Sequence, residues 1–290
     1  MSAWTRWPAP AKLNLFLQIT GRRPDGYHCL QTVFQLLDWG DLIEIRSRDD
    51  GQIVRHGGLP GVAPEDDLVI RAAHALRRVA GSDRGADIAV TKRIPAGGGL
   101  GGGSSDAAST LVALNALWRC GLDEPALAAL GLRLGADVPV FVRGRTAWAE
   151  GVGEQLSPLD LPERWFVIVD PQTSVPTGPL FQAPELTRDA PATTIPRFLA
   201  GTQTSNAFEP VVRARYPRVA QALDWLGGFG RSRLSGSGGC VFLDVADESD
   251  ARAIAKACPQ ELTAHVARGV NRSPLKAALE EFAAGASPSW

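Results

Sequence analysis

The sequence predicts an α+β protein built as two lobes. Three observations carry that reading. The chain opens on alternating apolar residues and turn chemistry that read as antiparallel strands; strong helical periods follow; and the C-terminal half repeats strand, helix and strand in the order of a split βαβ, ferredoxin-like layout. At 290 residues the chain exceeds what one core usually organises. The boundary is placed in a polar, proline-containing stretch, giving lobes of residues 1–157 and 158–290.

Over residues 11–19, Leu13, Leu15, Leu17 and Ile19 fall on alternate positions and define one buried strand face. Lys12, Asn14, Phe16 and Gln18 share the other. Pro24, Asp25 and Gly26 supply a turn, and strand-like runs follow at 27–37 and 42–46. A helix is expected from Leu68 to Val79, with acids before it and Gly81 after it. Ile88, Val90 and Ile94 alternate through a strand that runs into glycines, and residues 107–118 form a helix closed by Gly121. A second helix spans 124–134, with Pro125 in its first turn. Residues 136–142, 147–149 and 165–169 read as strands. Beyond a proline-rich loop at 171–196 come a helix, a strand at 232–235, the turn 236–239, a strand at 240–245, a helix at 250–257 and a strand near 264–267.

Composition narrows the function classes. The formal charge is -1 with both signs mixed along the chain, so no field exists to hold a nucleic acid. Cys29, Cys120, Cys240 and Cys258 form no CxxC pair, and the four histidines form no metal signature. The opening residues lack the apolar core of a leader peptide, and no run reaches the ~18 apolar residues of a membrane span. A cytoplasmic setting without a membrane partner is expected.

The densest signal is PAGGGLGGGSSD, residues 95–106, with six glycines in seven positions. Gly97, Gly99 and Gly102 satisfy the dinucleotide spacing, but the following helix leads into another helix instead of a second parallel strand, so a dehydrogenase lacks its context. A Walker loop needs a lysine before the serine, and Gly103 stands there. The set of motifs of a protein kinase is missing, and a flexible linker does not suit a loop abutted directly by a strand and a helix. What remains is a backbone cradle for an anion, in which glycines bring N–H groups and a helix N-terminus close to phosphate and Ser104 and Ser105 add hydroxyls. Any cationic side chain must come from elsewhere.

Two other places offer it chemistry. Lys12 and Asn14 lie on one strand face, ~6.5–7 Å apart at the backbone, so an ammonium and a carboxamide project together. Asp137, in Gly-Ala-Asp-Val-Pro, sits between a helix end and a strand. Taken singly, Lys12 reads as a solvated edge lysine, Asp137 as a cap or turn residue, Tyr27 and His28 as ordinary strand residues, and 236–239 as a hairpin turn. A lysine and an acid near a phosphate cradle suggest phosphoryl transfer to an alcohol.

Read together and in order, PAKLNLFLQITGRRPDGYH, PAGGGLGGGSSDAAS, LGADVPVFVRGRTAWAEGVGE and SGSGGCVF resemble the motifs of the GHMP small-molecule kinases over nearly the whole chain. The resemblance implies an N-terminal lobe like the second domain of ribosomal protein S5, a ferredoxin-like C-terminal lobe, and an active site in the cleft between them. It implies transfer of the ATP γ-phosphate, with Mg2+, to the 2-hydroxyl of a cytidine-diphosphate-linked methylerythritol, by a monomer or homodimer. Homoserine or mevalonate as acceptor is the alternative within the family. Lys12 and Asp137 match the catalytic pair. Pro95, Ala96, Gly97, Gly98, Gly99, Leu100, Gly101, Gly102, Gly103, Ser104 and Ser105 match the ATP-phosphate loop. Tyr27 and Phe181 match aromatics that stack on cytosine, and Asn14, His28 and Thr177 match substrate-contacting positions. Protein ligands for the metal are not assigned.

Overall fold

The first strand, β1 (Thr5–Arg22), and the second, β2 (His28–Arg48), form one long antiparallel hairpin, in register from Thr5 opposite Ile45 to Arg22 opposite His28. The computed structural model describes residues 3–24, 26–57, 62–63, 65–202 and 204–286; Asp25 of the expected turn lies outside them. The runs expected at 27–37 and 42–46 are thus a single strand. Its continuity rests on Gly40 opposite Pro10, where a Cβ on Gly40 would fall 2.1 Å from the Ala9 carbonyl oxygen. Register shifts in β1 after Pro10, Asn14 and Ile19 break the simple alternation, so both faces are covered and Lys12 is only 3% exposed.

A short strand β3 (Ile53–His56), not expected from the sequence, runs parallel to β4 (Gly85–Thr91). Between them lies α1 (Leu68–Ala80), capped by the Asp67 carboxylate at the Val69 N–H and stopped by Gly81 in the left-handed region. Next come α2 (Gly102–Leu117), which starts five residues earlier than expected, and α3 (Glu124–Leu132). Since α2 leads into α3, the dinucleotide-binding topology is absent here.

Residues 136–142 correct the sequence reading. They form no strand; instead α4 (Val138–Arg143) places Pro139 in its first turn, where no N–H is needed, and ends at Gly144 with φ 60°. Val138, Pro139, Val140, Phe141 and Val142 are all buried. An apolar run of that length, buried on every side, has no periodicity that separates strand from helix.

The chain continues through β5 (Ala147–Glu150), β6 (Gln155–Pro158), β7 (Trp165–Asp170), α5 (Thr177–Phe181), α6 (Ile195–Leu199), α7 (Glu209–Arg215) and α8 (Pro217–Gly227). It closes with β8 (Arg233–Leu234), β9 (Val241–Val245), α9 (Glu248–Lys256), β10 (Thr263–Val270) and α10 (Pro274–Ala283), a final helix the sequence reading did not assign. The strands join in one sheet of order β3-β4-β2-β10-β7-β9-β8, with β1 and β5 also on β2. The β10-β7-β9-β8 part is antiparallel throughout, as the ferredoxin-like order requires.

One core gathers α1, α2, α3 and α4 against β2 and β4, and Leu275 and Ala278 of α10 join it from the far end of the chain. A second packs α7, α8 and α9 against β7 and β9. A third, around Leu13, Phe16, Leu100 and Phe242, ties the two halves together. Among the described residues no helix is long and apolar enough to cross a membrane.

Candidate active site

Lys12, Asn14, Gly99, Gly101, Tyr27, His28, Asp137, Thr177 and Phe181 all line one cavity of about 860 Å3. Five separate parts of the chain meet there. From β1, the Lys12 ammonium donates to Asn14 Oδ1 at 2.5 Å and to the Gly99 carbonyl at 2.8 Å, and lies 3.4 Å from Asp137 Oδ2. These three acceptors match its three protons, and the long contact to Asp137 is the one a ligand can most readily displace. Asn14 is itself fixed, its amide donating to Thr32 Oγ1 at 2.8 Å. Burial pushes the Lys12 pKa below its usual value, and the opposite charge and hydrogen bond of Asp137 work against that fall.

Asp137 occupies the N-cap position of α4, yet its side chain makes no capping bond. The bland role for this acid is therefore unfilled. Its carboxylate, 32% exposed, faces Lys12 and the cavity instead.

The glycine loop shows why its composition is extreme. Gly97, Gly99 and Gly101 have φ of 70°, 76° and 74°, and the spaces for side chains are already taken by protein. A Cβ on Gly99 would lie 2.0 Å from the Ser235 carbonyl oxygen, and one on Gly98 would lie 2.6 Å from Cys240 Sγ. The loop is sewn to the 235–240 turn: Gly239 N–H and Cys240 N–H donate to the Gly97 and Gly98 carbonyls at 3.0 Å, and Ser235 Oγ donates to Gly99 O at 3.0 Å. Half of the glycine requirement is thus a close fit between two backbones. The other half is exposed, since α2 begins at Gly102 on an uncapped Gly101, leaving the first-turn N–H groups of Gly102, Gly103 and Ser104 without intrahelical partners. Ser105 does not share this outlook. It is fully buried and its hydroxyl donates to the Pro10 carbonyl at 2.7 Å. Leu100 is also buried, with its carbonyl accepting from Lys12 N–H at 3.0 Å. Pro95, Ala96, Gly97, Gly98, Leu100, Gly102, Gly103, Ser104 and Ser105 lie outside the cavity lining.

The cation the loop lacks stands next to it. Lys92, just past β4, reaches within 3.3 Å of where a Cβ on Gly102 would sit, and its ammonium bridges Asp41 Oδ2 and Asp106 Oδ2, the latter at 2.7 Å. Asp41 is fully buried and also accepts from the N–H groups of Arg93 and Ile94, at 2.5 and 2.8 Å. Asp106 is 2% exposed. This cluster escaped sequence reading because its members are 14 and 51 residues apart, on strand, loop and helix.

At the opposite end of the cavity the His28 and Phe181 rings stack, with centroids 5.0 Å apart and planes at 27°, while Tyr27 is 65% exposed. Thr177 Oγ1 and Ser237 Oγ are 2.7 Å apart and join α5 to the turn after β8. His28 Nε2 is buried with no partner, and burial, aided by Arg188 and Arg22, pushes the imidazole pKa down. Arg22 and Arg188 also line this end, which the sequence reading missed.

The fold is that of a small-molecule kinase, with a glycine loop that leads into a helix N-terminus. The chain belongs to the GHMP kinase family: residues 67–145 match the GHMP kinases N terminal domain and residues 193–264 the GHMP kinases C terminal. A 4-diphosphocytidyl-2-C-methyl-D-erythritol kinase of Halorhodospira halophila is 57% identical over 98% of this chain and 99% of its own length. A protein of the same name from Xanthomonas oryzae pv. oryzae is 60% identical over 94% of this chain and 92% of its own. A crystal structure of 4-(cytidine 5'-diphospho)-2C-methyl-D-erythritol kinase superposes with a TM-score of 0.79 at 35% identity, covering 91% of this chain and 99% of that one.

Proposed function

We propose that this chain transfers the γ-phosphoryl group of ATP to the 2-hydroxyl of 4-diphosphocytidyl-2-C-methyl-D-erythritol, a step toward isoprenoid precursors by the non-mevalonate route. The observation that carries this reading is the match in name and near-full length to relatives at 57–60% identity. The cavity supports it by chemistry: a Lys and Asp at one end, and stacked and exposed aromatic rings suited to a pyrimidine at the other. A small zwitterionic amino acid such as homoserine has no ring to stack on that aromatic end, and neither does mevalonate.

The acceptor is a tertiary alcohol, a poor nucleophile near neutral pH, so positioning and charge neutralisation must do most of the catalysis. Asp137 accepts the hydroxyl proton as the O–P bond forms. Lys12 stabilises the alcohol oxygen and the transferring phosphoryl. It is pre-aimed by Asn14 and Gly99 O, so little reorganisation is needed as charge develops. The N-terminus of α2 takes the phosphates of ATP, with Gly102, Gly103 and Ser104 donating from the backbone. The Tyr27 and Phe181 rings hold the cytosine, with His28, Asn14 and Thr177 as polar contacts.

Mg2+ neutralises phosphate charge in reactions of this class. Among the described residues no three His, Cys, Asp or Glu come together as a metal site. Of the nearby acids, Asp41 and Asp106 each pair with Lys92 through Oδ2, and Glu150 accepts from Gln31 at 2.8 Å. In this reading the ion's ligands are the nucleotide phosphates and water, with no cluster of three such side chains among the described residues to add to them. Four free cysteines suit the reducing cytoplasm where ATP is available.

A coupled assay for ADP release separates the readings. Turnover with the cytidine-linked acceptor and none with mevalonate or homoserine is the expected result; turnover with either of the latter in place of the first would overturn the assignment.

A further inference from the structure

We propose that Asp106 is a positioning residue for ATP, coupling nucleotide binding to the uptake of one proton through the Asp41–Lys92–Asp106 cluster beside the phosphate loop. The inference rests on the reading of the loop as the ATP-phosphate site.

The geometry singles out Asp106 among the three groups. Lys92 donates to both carboxylates. Asp41 is satisfied at both oxygens, by two backbone N–H groups on Oδ1 and by Lys92 on Oδ2. Asp106 is satisfied only at Oδ2; its Oδ1 is buried with no partner. An ionised carboxylate with one bare, buried oxygen is the costly member of such a cluster, and it is where a proton is best accepted. With all three groups charged the cluster carries a net charge of -1; with Asp106 protonated at Oδ1 it is neutral and Lys92 keeps its proton.

Position makes that proton matter to ATP. Asp106 belongs to the opening turns of α2, and Lys92 Nζ lies 3.3 Å from where a Cβ on Gly102, the first residue of the same helix, would sit. Phosphate bound at this helix end therefore meets a cluster that is either neutral or anionic. An ionised Asp106 opposes the polyanion, and the polyanion in turn favours the protonated acid; the two effects are one coupling. Two neighbouring charged groups are already engaged. On the α1 side Asp67 is paired with Arg55 at 3.2 Å, and from β1 Lys12 is engaged with Asn14, Gly99 and Asp137. Burial, with Asp41 adding to it and Lys92 opposing it, pushes the free protein's Asp106 carboxyl up to about 7, so the proton is exchangeable under working conditions.

The coupling has a defined readout. Calorimetric titration of ATP into the full chain at about pH 7.5, repeated in buffers of different ionisation enthalpy, should show a net proton taken up by the wild type beyond that in Asp106→Asn. The ATP Kd of the wild type should weaken by about sixfold relative to that of Asp106→Asn as pH rises from about 6.5 to 8.5, as one pKa unit of coupling requires over that range. The titration of ATP itself is common to both proteins and cancels. Equal proton uptake and parallel pH profiles would overturn the inference while leaving the ATP site intact, whereas no ATP binding by the wild type at any pH would overturn the reading of the loop. Should Asp106→Asn fail to fold, infrared difference spectra of the unmodified protein decide the matter. A protonated-carboxyl band that grows on adding ATP at about pH 7.5 supports the coupling, and an unchanged band refutes it.

Discussion

Lys12 and Lys92 both stand beside the glycine loop, one bonded to the Gly99 carbonyl and the other next to Gly102, and burial opposes the charge of each. The outcomes are opposite. Lys12, set against neutral carbonyls and a single partly exposed acid, has its pKa lowered; Lys92, held between two buried carboxylates, has its pKa raised. The difference lies in how many of its neighbours carry negative charge, and it separates a lysine that faces the cavity from one that fastens helix α2 to the sheet. Only Lys12 lines the main cavity.

The contrast can be broken most forcefully at Lys12. Lys12→Met should lower kcat by ~10²-fold or more, as expected for loss of a pre-aimed electrostatic group. Steady-state ADP release measures this, and a Tm shift smaller than that of Lys92→Met should accompany it. In the reverse case, Lys92→Met leaves two buried carboxylates facing each other and should cost about 3 kcal/mol or more of stability, read by denaturant unfolding. Gly99→Ala tests the seam that both lysines flank. With φ at 76° and its Cβ site 2.0 Å from Ser235 O, an alanine there must part the two glycine turns, at a cost of roughly 1–3 kcal/mol and with a fall in kcat as the Lys12 anchor at Gly99 O shifts.

The smallest effect concerns pH. Because the Asp106 pKa is raised in the folded protein to about 7, the folded state prefers the protonated acid. Its stabilising contribution is complete below the ordinary carboxylate range and is lost as pH rises through about 7. Going from about pH 8 to about pH 6 should therefore raise the wild-type Tm by a few degrees relative to Asp106→Asn, whose side chain does not titrate. A constant difference between the two across that range would refute the assignment of the proton.

The sequence exposes these two regions unequally. Helix α1 was legible to within a residue at its end because Asp67 and Gly81 cap it, and the Lys12–Asn14 pair was legible because two residues apart on a strand share a face. The depth of Lys12 was not, since β1 carries register shifts that cover the face expected to meet solvent. Helix α4 was misread because Val138, Val140 and Val142 favour a strand by residue type, while Pro139 and Gly144 settle the matter only through backbone geometry. Lys92 and its two acids have no local signature at all. They meet through β2, the end of β4 and α2, which only tertiary packing brings together. The glycines of the loop were legible as a bend, but their close fit to the 235–240 turn depends on a segment more than 130 residues away.

The central claim is that Asp137 and Lys12 act as a pair on the acceptor hydroxyl. Single-turnover phosphoryl transfer from ATP to 4-diphosphocytidyl-2-C-methyl-D-erythritol, wild type against Asp137→Asn at saturating concentrations of both, tests it most directly. The rate should fall by ~10²-fold or more with Tm preserved, since the Asp137 side chain makes no cap bond in α4. A variant that transfers phosphate at the wild-type rate would contradict the account.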